Sequence, residues 1–355
     1  MPHPAELDEL AGRIREAAAN RAPLRIRGGG SKDFYGGMLA GDVLDVSVYR
    51  GVVAYEPTEL YVTARCGTPL AEVEALLAEN GQMLAFEPPR FGGATVGGCV
   101  AAGMAGPRRQ QAGAVRDFVL GVKLVDGAGQ ILDFGGQVMK NVAGYDVSRL
   151  LAGSLGTLGL LAEVTLKVLP RPVAETTLAF ELAEAEAISV LNRWGGRPLP
   201  ISASFWFDGL LAIRLSGARA AVEAATRQLG GAPLHDGDGF WRSIREQEHA
   251  AFAGDVLWRV ALPTTAAPLG LPGLGAIEWG GGLRWLSTDV GAEVVRGAAA
   301  QAGGHAVLYQ APESLRCREG TFAALDPALL ALHRRLKKVF DPHGILNPGR
   351  LYAEL

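Results

Sequence analysis

Cysteine is scarce: Cys66, Cys99 and Cys317 are the only three in 355 residues. They stand far apart with no C-x-x-C spacing, which excludes a cysteine-ligated iron–sulfur cluster within the chain and suits a reducing compartment. The six histidines are scattered singly, and no H-x-H or H-E-x-x-H pair is present to hold zinc or iron, so no metal site is expected. Positive charge is not in excess. The 34 Lys and Arg against 37 Asp and Glu give a net of −3, so there is no surplus to neutralise a phosphate backbone, and nucleic acid is excluded as a partner. No run of 18 apolar residues appears, and the opening MPHPAELDELAGRIREAAAN carries acids where a signal peptide would carry a basic stretch before a hydrophobic one. The chain therefore reads as cytoplasmic, with no membrane span. Two phosphate-binding loops are missing as well. No G-x-G-x-x-G opens a helix after a strand and no G-x-x-x-x-G-K-[ST] occurs, which disfavours a Rossmann domain and a P-loop.

What is present points to a large globular protein. Apolar residues are 48% and charged residues 20% of the chain, enough to bury a substantial core. At 355 residues the length suits two domains better than one. Glycine is the excess: 48 Gly with 20 Pro are about a fifth of the chain, against roughly 12% in average usage. The glycines are not periodic, so collagen and linker readings fail.

Periodicity predicts an opening amphipathic helix over residues 5–19 and strands at LRIR (24–27), VLDVS (43–47) and Glu59 to Cys66. A helix starting at Thr68-Pro69, capped by the Thr68 hydroxyl, should end at Asn80-Gly81. Residues 90–113 read as a long loop, and FVLGVKLV-DGAG-QILDF reads as a hairpin followed by the strand LLAEVTLKVL (160–169). Past Pro170 and Pro172 the order is TTLAFEL, AEAISVLNRW, ISASFWF, LLAIRLS, ARAAVEAATRQL and VLWRVAL. That is the β-α-β-β-α-β order of a ferredoxin-like unit. No internal repeat stands out. The expected organisation is α+β, with residues 1–172 as a ligand-binding domain, 173–335 as a ferredoxin-like α+β cap or substrate domain, and 336–355 as a tail returning to the first domain.

The glycines before residue 160 fall into three clusters, IRGGGSKDFYG (26–36), RFGGATVGGCVAAGMAG (90–106) and AGSLGTLG (152–159). A residue without Cβ can turn its amide toward an anion and let a flat ligand approach the backbone. Three such loops suggest one large ligand gripped at several points, with a dinucleotide the natural candidate. In order and spacing, the motifs RGGGSKDFYG (27–36), PPRFGGATVGG (88–98), GAVRDFVLG (113–121), KNVAGYD (140–146), GSLGTLG (153–159) and the tail FDPHGILNPGRL resemble the FAD-binding PCMH-type domain of the vanillyl-alcohol oxidase flavoprotein family. Within it they are most similar to the FAD-binding subunits of glycolate (2-hydroxy acid) oxidising complexes.

The resemblance implies a two-subdomain FAD-binding domain and an FAD site made by Arg27, Gly28, Gly29, Gly30, Ser31, Lys32, Pro88, Thr95, Gly97, Gly98, Gly103, Gly106, Asp117, Gly153, Ser154, Gly156, Thr157, Gly159, Val164 and Asn347. Gly28 to Lys32 would face the pyrophosphate, and the backbone near Glu163 and Val164 would reach the adenine. Arg116-Asp117 also reads as a buried ion pair bracing its loop. Where related families attach flavin covalently through histidine, this chain has Ser31, so FAD should be bound non-covalently. The implied partners are a catalytic flavoprotein subunit and an iron–sulfur subunit of glycolate oxidase, through which any attachment to the inner membrane would be made. The rival readings are a stand-alone FAD oxidoreductase of a small hydroxy acid or alcohol, and a scaffold whose FAD never turns over.

No catalytic residue is identified. The H-x-x-G-D-G-N-x-H motif of catalytic relatives is absent. His235 in PLHDGDG lacks that motif's second histidine, His305 opens a strand, His249 and His333 read as helix-face residues, and His343 sits in a turn. Arg214, Arg259 and Arg284 lie on strands among Trp206, Trp258, Trp285 and Tyr309, and such an arginine could clamp a carboxylate. Strand alternation sends Trp258 and Arg259 to opposite faces.

Overall fold

The computed structural model describes residues 4–137 and 145–355; residues 140–144 of the KNVAGYD motif lie outside them. Helix α1 (Ala5–Asn20) buries Leu7, Leu10, Ala11, Ile14, Ala17 and Ala18 along one face. That face covers the parallel pair β1 (Leu24–Arg27) and β2 (Asp42–Asp45). Next come β3 (Val52–Glu56), β4 (Tyr61–Arg65), α2 (Leu70–Glu79) and the short β5 (Gln82–Met83). They are followed by α3 (Val96–Ala102), α4 (Arg109–Ala112), β6 (Val119–Val125), β7 (Ile131–Gly135), α5 (Val147–Leu150), β8 (Leu160–Lys167) and β9 (Leu169–Pro170). Strands β3, β4, β8, β6 and β7, in that order, form an antiparallel sheet. Its core joins Val62, Leu124 and Val164 of the sheet to Leu70 and Leu77 of α2 and Val100 of α3.

Two local expectations change here. The stretch 90–113 contains a helix, α3, because Val96, Cys99 and Val100 are buried at helical spacing, and that packing outweighs the weak helix propensity of Gly97 and Gly98. The Thr68 hydroxyl does not cap α2. It donates to the Arg65 carbonyl at 2.6 Å and accepts from the Gly51 amide at 2.8 Å, and α2 starts after Pro69 with no side-chain cap.

The remaining strands build an eight-stranded antiparallel sheet. Its first part is β10 (Ala174–Glu181), α6 (Glu184–Gly195), β11 (Ile201–Phe207), β12 (Leu210–Gly217), α7 (Arg219–Leu229), β13 (Ala232–Pro233) and α8 (Gly237–Arg245). Its second part is β14 (Leu257–Ala261), β15 (Leu274–Glu278), β16 (Leu283–Ser287), α9 (Ala292–Gln301) and β17 (His305–Gln310), before α10 (Glu313–Glu319) and α11 (Pro327–Phe340). The order β13-β10-β12-β11-β15-β16-β14-β17 is two ferredoxin-like 4-1-3-2 units set edge to edge through the β11–β15 pairing. The fourth strand of the first unit is therefore Ala232–Pro233, and VLWRVAL, expected in that place, opens the second unit as β14. Alternation marks a strand but not its neighbours, so this topological repeat escapes a search for sequence repeats. Helices α6, α7 and α9 pack on one face of the sheet. The opposite face packs on Phe34, Tyr35 and Met104 from the first half of the chain.

Leu336 and Phe340 of α11 pack on the core of the first sheet, so the border expected at residue 335 falls inside a helix. Lys337 is buried there, its Nζ donating to the carbonyls of Thr157 at 2.9 Å and Leu346 at 2.7 Å and to the Asp341 carboxylate at 2.7 Å. Beyond it, Leu346 bridges to Leu24, laying the tail beside β1. Among the described residues, no helix is long and apolar enough to cross a membrane.

Candidate functional site

The three glycine clusters and the tail meet at one cleft. Arg27, Gly28, Gly29, Gly30, Ser31, Lys32, Thr95, Gly97, Gly98, Gly156, Gly159 and Asn347 all line it. Leaving β1, the chain passes through five successive amides, Gly28 to Lys32, that donate no hydrogen bond among the described residues. Unpaired amides at a cleft wall favour an anion. A Cβ on Gly28 would collide with the Thr95 side chain, and one on Gly29 with the Gly93 carbonyl, so the first two glycine loops touch backbone to backbone. Thr95 caps α3, its hydroxyl accepting from the Gly98 amide at 3.3 Å, and the first turn of α3 contributes to the wall.

Asn347 ties three distant segments together. Its Oδ1 accepts from the Ile26 amide and its Nδ2 donates to the Leu155 carbonyl, each at 2.7 Å. Arg350, quoted in the tail motif without a role, clamps the first loop by donating to the carbonyls of Lys32 at 3.1 Å, Asp33 at 3.0 Å and Gly37. Burial pulls its guanidinium down to about 10. Lys32 is held by the Pro89 carbonyl at 3.0 Å and stands over the Phe91 ring; burial lowers its pKa as well.

The other expected site residues do not line this cleft. Gly103, at φ +65°, ends α3 against the backbone of Gly153. Ser154 and Thr157 form a buried turn in which the Thr157 hydroxyl donates to the Ser154 carbonyl at 2.8 Å. Val164 lies in mid-sheet, paired with Ala64 and Val122. Pro88 is buried, and Gly106 backs onto Glu87. Asp117 accepts from the Ala114 amide at 2.8 Å. Its pairing with Arg116 is not the buried brace expected, for the two side chains are 47% and 71% exposed.

A second cavity shares Ala102 with the first and runs along residues 102–106. Tyr35, Gln247, Arg259, Glu278, Trp285 and Tyr309 line it. Four neighbouring strands deliver the last four of these from the sheet face opposite α6, α7 and α9. Trp258 packs on the helical side and Arg259 faces the cavity, as alternation requires. The other two candidate arginines are engaged elsewhere. Arg214 donates to Glu87 at 2.9 Å and Ser202 at 3.0 Å, and Arg284 to the carbonyls of Ala266 at 3.0 Å and Gly281. Glu278 was not anticipated from sequence, since nothing in AIEW distinguishes a buried carboxyl from a solvated one. Burial pushes it up to about 7, with the Trp285 hydrogen bond and Arg259 opposing and Glu87 reinforcing. None of His235, His249, His305, His333 and His343 lines either cavity. His249, expected on a helix face, instead caps a short 3-10 turn, its Nδ1 accepting from the Ala251 amide at 3.1 Å.

Comparison with known proteins agrees with this geometry. Residues 3–135 match the family described as FAD binding domain, and residues 319–351 the family described as FAD linked oxidases, C-terminal domain. The chain is 48% identical over 348 residues to glycolate oxidase subunit GlcE of Escherichia coli (strain K12), covering 98% of this chain and 97% of that protein. It is 28% identical over 207 residues to glycolate oxidase subunit GlcD of Bacillus subtilis (strain 168), covering 57% of this chain and 44% of that protein. A 4-ethylphenol oxidase from Gulosibacter chungangensis superposes with a TM-score of 0.72 at 15% identity, over 98% of this chain and 88% of that one, a likeness of fold.

Proposed function

The chain belongs to the GlcE family of FAD-linked oxidoreductases, and from that premise we propose that it is the FAD-binding subunit of a glycolate (2-hydroxy acid) oxidase complex. The observation that carries this reading is the cleft where five unpaired amides, two further glycine loops and the tail converge. These residues fit FAD. The amides of Gly28 to Lys32 would hold the pyrophosphate, while Thr95, Gly97 and Gly98 on one wall and Gly156, Gly159 and Asn347 on the other leave bare backbone for the rest of the molecule. Bound FAD supplies acceptance of two electrons from a substrate carbon and their onward transfer. The protein's part is to bind, orient and enclose it. Lys32 and Arg350 brace the loop, and Ile26, Val46, Leu155 and Leu161 make the apolar side of the cleft.

The proposed partners are a catalytic flavoprotein subunit and an iron–sulfur subunit. Cys66 and Cys99 are buried and Cys317 is exposed, with no disulfide, which supports placing any iron–sulfur centre on another chain. Omitting this chain from the reconstituted complex should abolish glycolate-dependent reduction of an acceptor dye and lower the flavin content. Undiminished activity without it would sink the proposal.

Ser31 stands where attachment to a histidine would be made, which supports non-covalent binding. Acid precipitation of the purified chain should therefore leave the FAD in the supernatant, measured by its absorbance. A yellow pellet would contradict this.

A further inference from the structure

The geometry points to a binding site for a phosphate group in the cavity between α2 and α8, held by Arg90, Arg171 and Arg242. This cavity shares no residue with the glycine-lined cleft, and the inference goes beyond the FAD reading without depending on it.

Two helices frame the cavity. From α2 come Ala71, Ala75 and Ala78, whose short side chains leave the space open. From α8 come Asp238, Trp241, Arg242 and Arg245, spaced as one face of a helix. Arg171, between β9 and β10, and Arg90, beyond β5, complete the wall. In all, six arginines and four carboxylates line the cavity, an excess of positive charge in a chain whose net charge is −3.

The carboxylates are stretched across that excess. Glu74 accepts from Arg90 and lies 3.8 Å from Arg245. Glu87 serves Arg108 at 3.2 Å and Arg214 at 2.9 Å, and Glu175 serves the same two at 2.6 and 3.9 Å. Three carboxylates are thus each shared by two guanidinium groups. Among the described residues, Asp238 is the one carboxylate of the cavity left to face both Arg171 and Arg242. A cleft with one sign of charge in surplus focuses its field and draws in a counter-ion.

The directions of approach select the anion. Guanidinium groups enter from α8, from the β9–β10 connection and from the segment after β5. A planar carboxylate is matched by one guanidinium fork, whereas a tetrahedral phosphate presents oxygens on every side and accepts from several. Met83, Leu84 and the α2 alanines make an apolar wall beside the arginines, room for the carbon skeleton of a phosphate ester. The last turn of α8 leads to Glu246, which accepts from the Arg90 and Phe91 amides at 3.0 and 2.9 Å. An anion between Arg90 and Arg242 adds a second tie between the same two segments.

The test titrates inorganic phosphate and glycerol 3-phosphate into the full-length, FAD-loaded chain by calorimetry at constant ionic strength, with malonate as a dianion of planar carboxylates. Bound flavin keeps the probes from the Gly28 to Lys32 amides. One phosphate should bind per chain, about 10-fold more tightly than malonate. R171M/R242M, at two exposed positions, should weaken phosphate about 10- to 100-fold through loss of two charge-assisted pairs, and R242K should keep part of the affinity. R227M, exposed on α7 and not in the cavity wall, should change nothing, which separates the site from an effect of net charge. Phosphate should also raise the thermal midpoint of wild type and not of R171M/R242M, with the urea midpoint reporting that each variant is folded. Tighter binding of glycerol 3-phosphate than of phosphate would identify an ester as the ligand, and the reverse the free ion. No saturable binding by wild type, equal binding by folded R171M/R242M, or malonate binding as tightly as phosphate would overturn the proposal. Should the chain take up no flavin, the FAD reading fails, and the comparison of wild type with R171M/R242M still decides this one.

Discussion

Gly29→Ala should come through purification folded and colourless. A methyl group at this position meets the backbone carbonyl of Gly93, not a side chain that could swing aside. The first loop is held on its other side by Arg350, which donates to Lys32 and Asp33, and Gly28 already touches Thr95. The only relief is to move the two loops apart, which carries the Gly28 to Lys32 amides away from the position proposed for the pyrophosphate. The FAD dissociation constant should rise by 100-fold or more, equivalent to roughly 3 kcal/mol, measured by flavin fluorescence titration of the apoprotein. Gly297→Ala on α9, where an added Cβ meets nothing, is the control and should retain full flavin. A yellow Gly29→Ala protein with unchanged affinity would remove the first loop from the FAD site.

Glu87→Ala should destabilise the protein by about 3–5 kcal/mol, the usual cost of breaking one member of a buried ionic network. Glu87 accepts from the Arg108 amide at 2.8 Å, Arg108 Nε at 3.2 Å and an Arg214 guanidinium nitrogen at 2.9 Å. Arg108 and Arg214 are 4% and 6% exposed. The variant leaves two buried cations sharing only Glu175, which lies 2.6 Å from Arg108 and 3.9 Å from Arg214. Because Glu87 and Arg108 precede the eight-stranded sheet while Glu175 and Arg214 stand on its strands β10 and β12, the thermal transition should also split in two. Burial alone would raise the Glu87 carboxyl, but Arg214 and Arg108 hold it below the ordinary value of 4.5. The native protein binds fewer protons there than the unfolded chain, so this contribution is complete above that value and is lost as pH falls through it. Glu87→Ala should accordingly flatten the fall in stability below about pH 4.5. Replacing Glu87, Arg108 and Arg214 together by Leu, Met and Met should recover most of the loss. A loss under 1 kcal/mol in Glu87→Ala would show that the network does not join the eight-stranded sheet to the segment before it.

The cleft proposed for FAD was largely legible in the sequence because its shape is written in residue type. Gly29 and Gly97 sit where any Cβ would collide, and such positions show as glycine. The same glycines hid α3, whose helical signal rests on Val96, Cys99 and Val100 among residues of poor propensity. The second cavity was legible only in part. Arg259 was visible as a strand arginine beside a tryptophan. Glu278 was not, because its burial arises when β15 pairs between β11 and β16, a relation among strands far apart in the chain. The doubled 4-1-3-2 order stayed hidden for the same reason: which strands pair is fixed by tertiary packing, and local alternation is silent about it.

The hydrogen bond from the Ile26 amide to Asn347 spans 321 residues. One wall of the cleft is therefore synthesised 321 residues before the residue that faces it. On the ribosome the glycine loop emerges without Asn347 or Arg350 to face it, so a nascent chain cannot enclose the cofactor. On the proposed reading of the cleft, a chain terminated upstream of Asn347 is expected to be an apoprotein, however well its first sheet has folded.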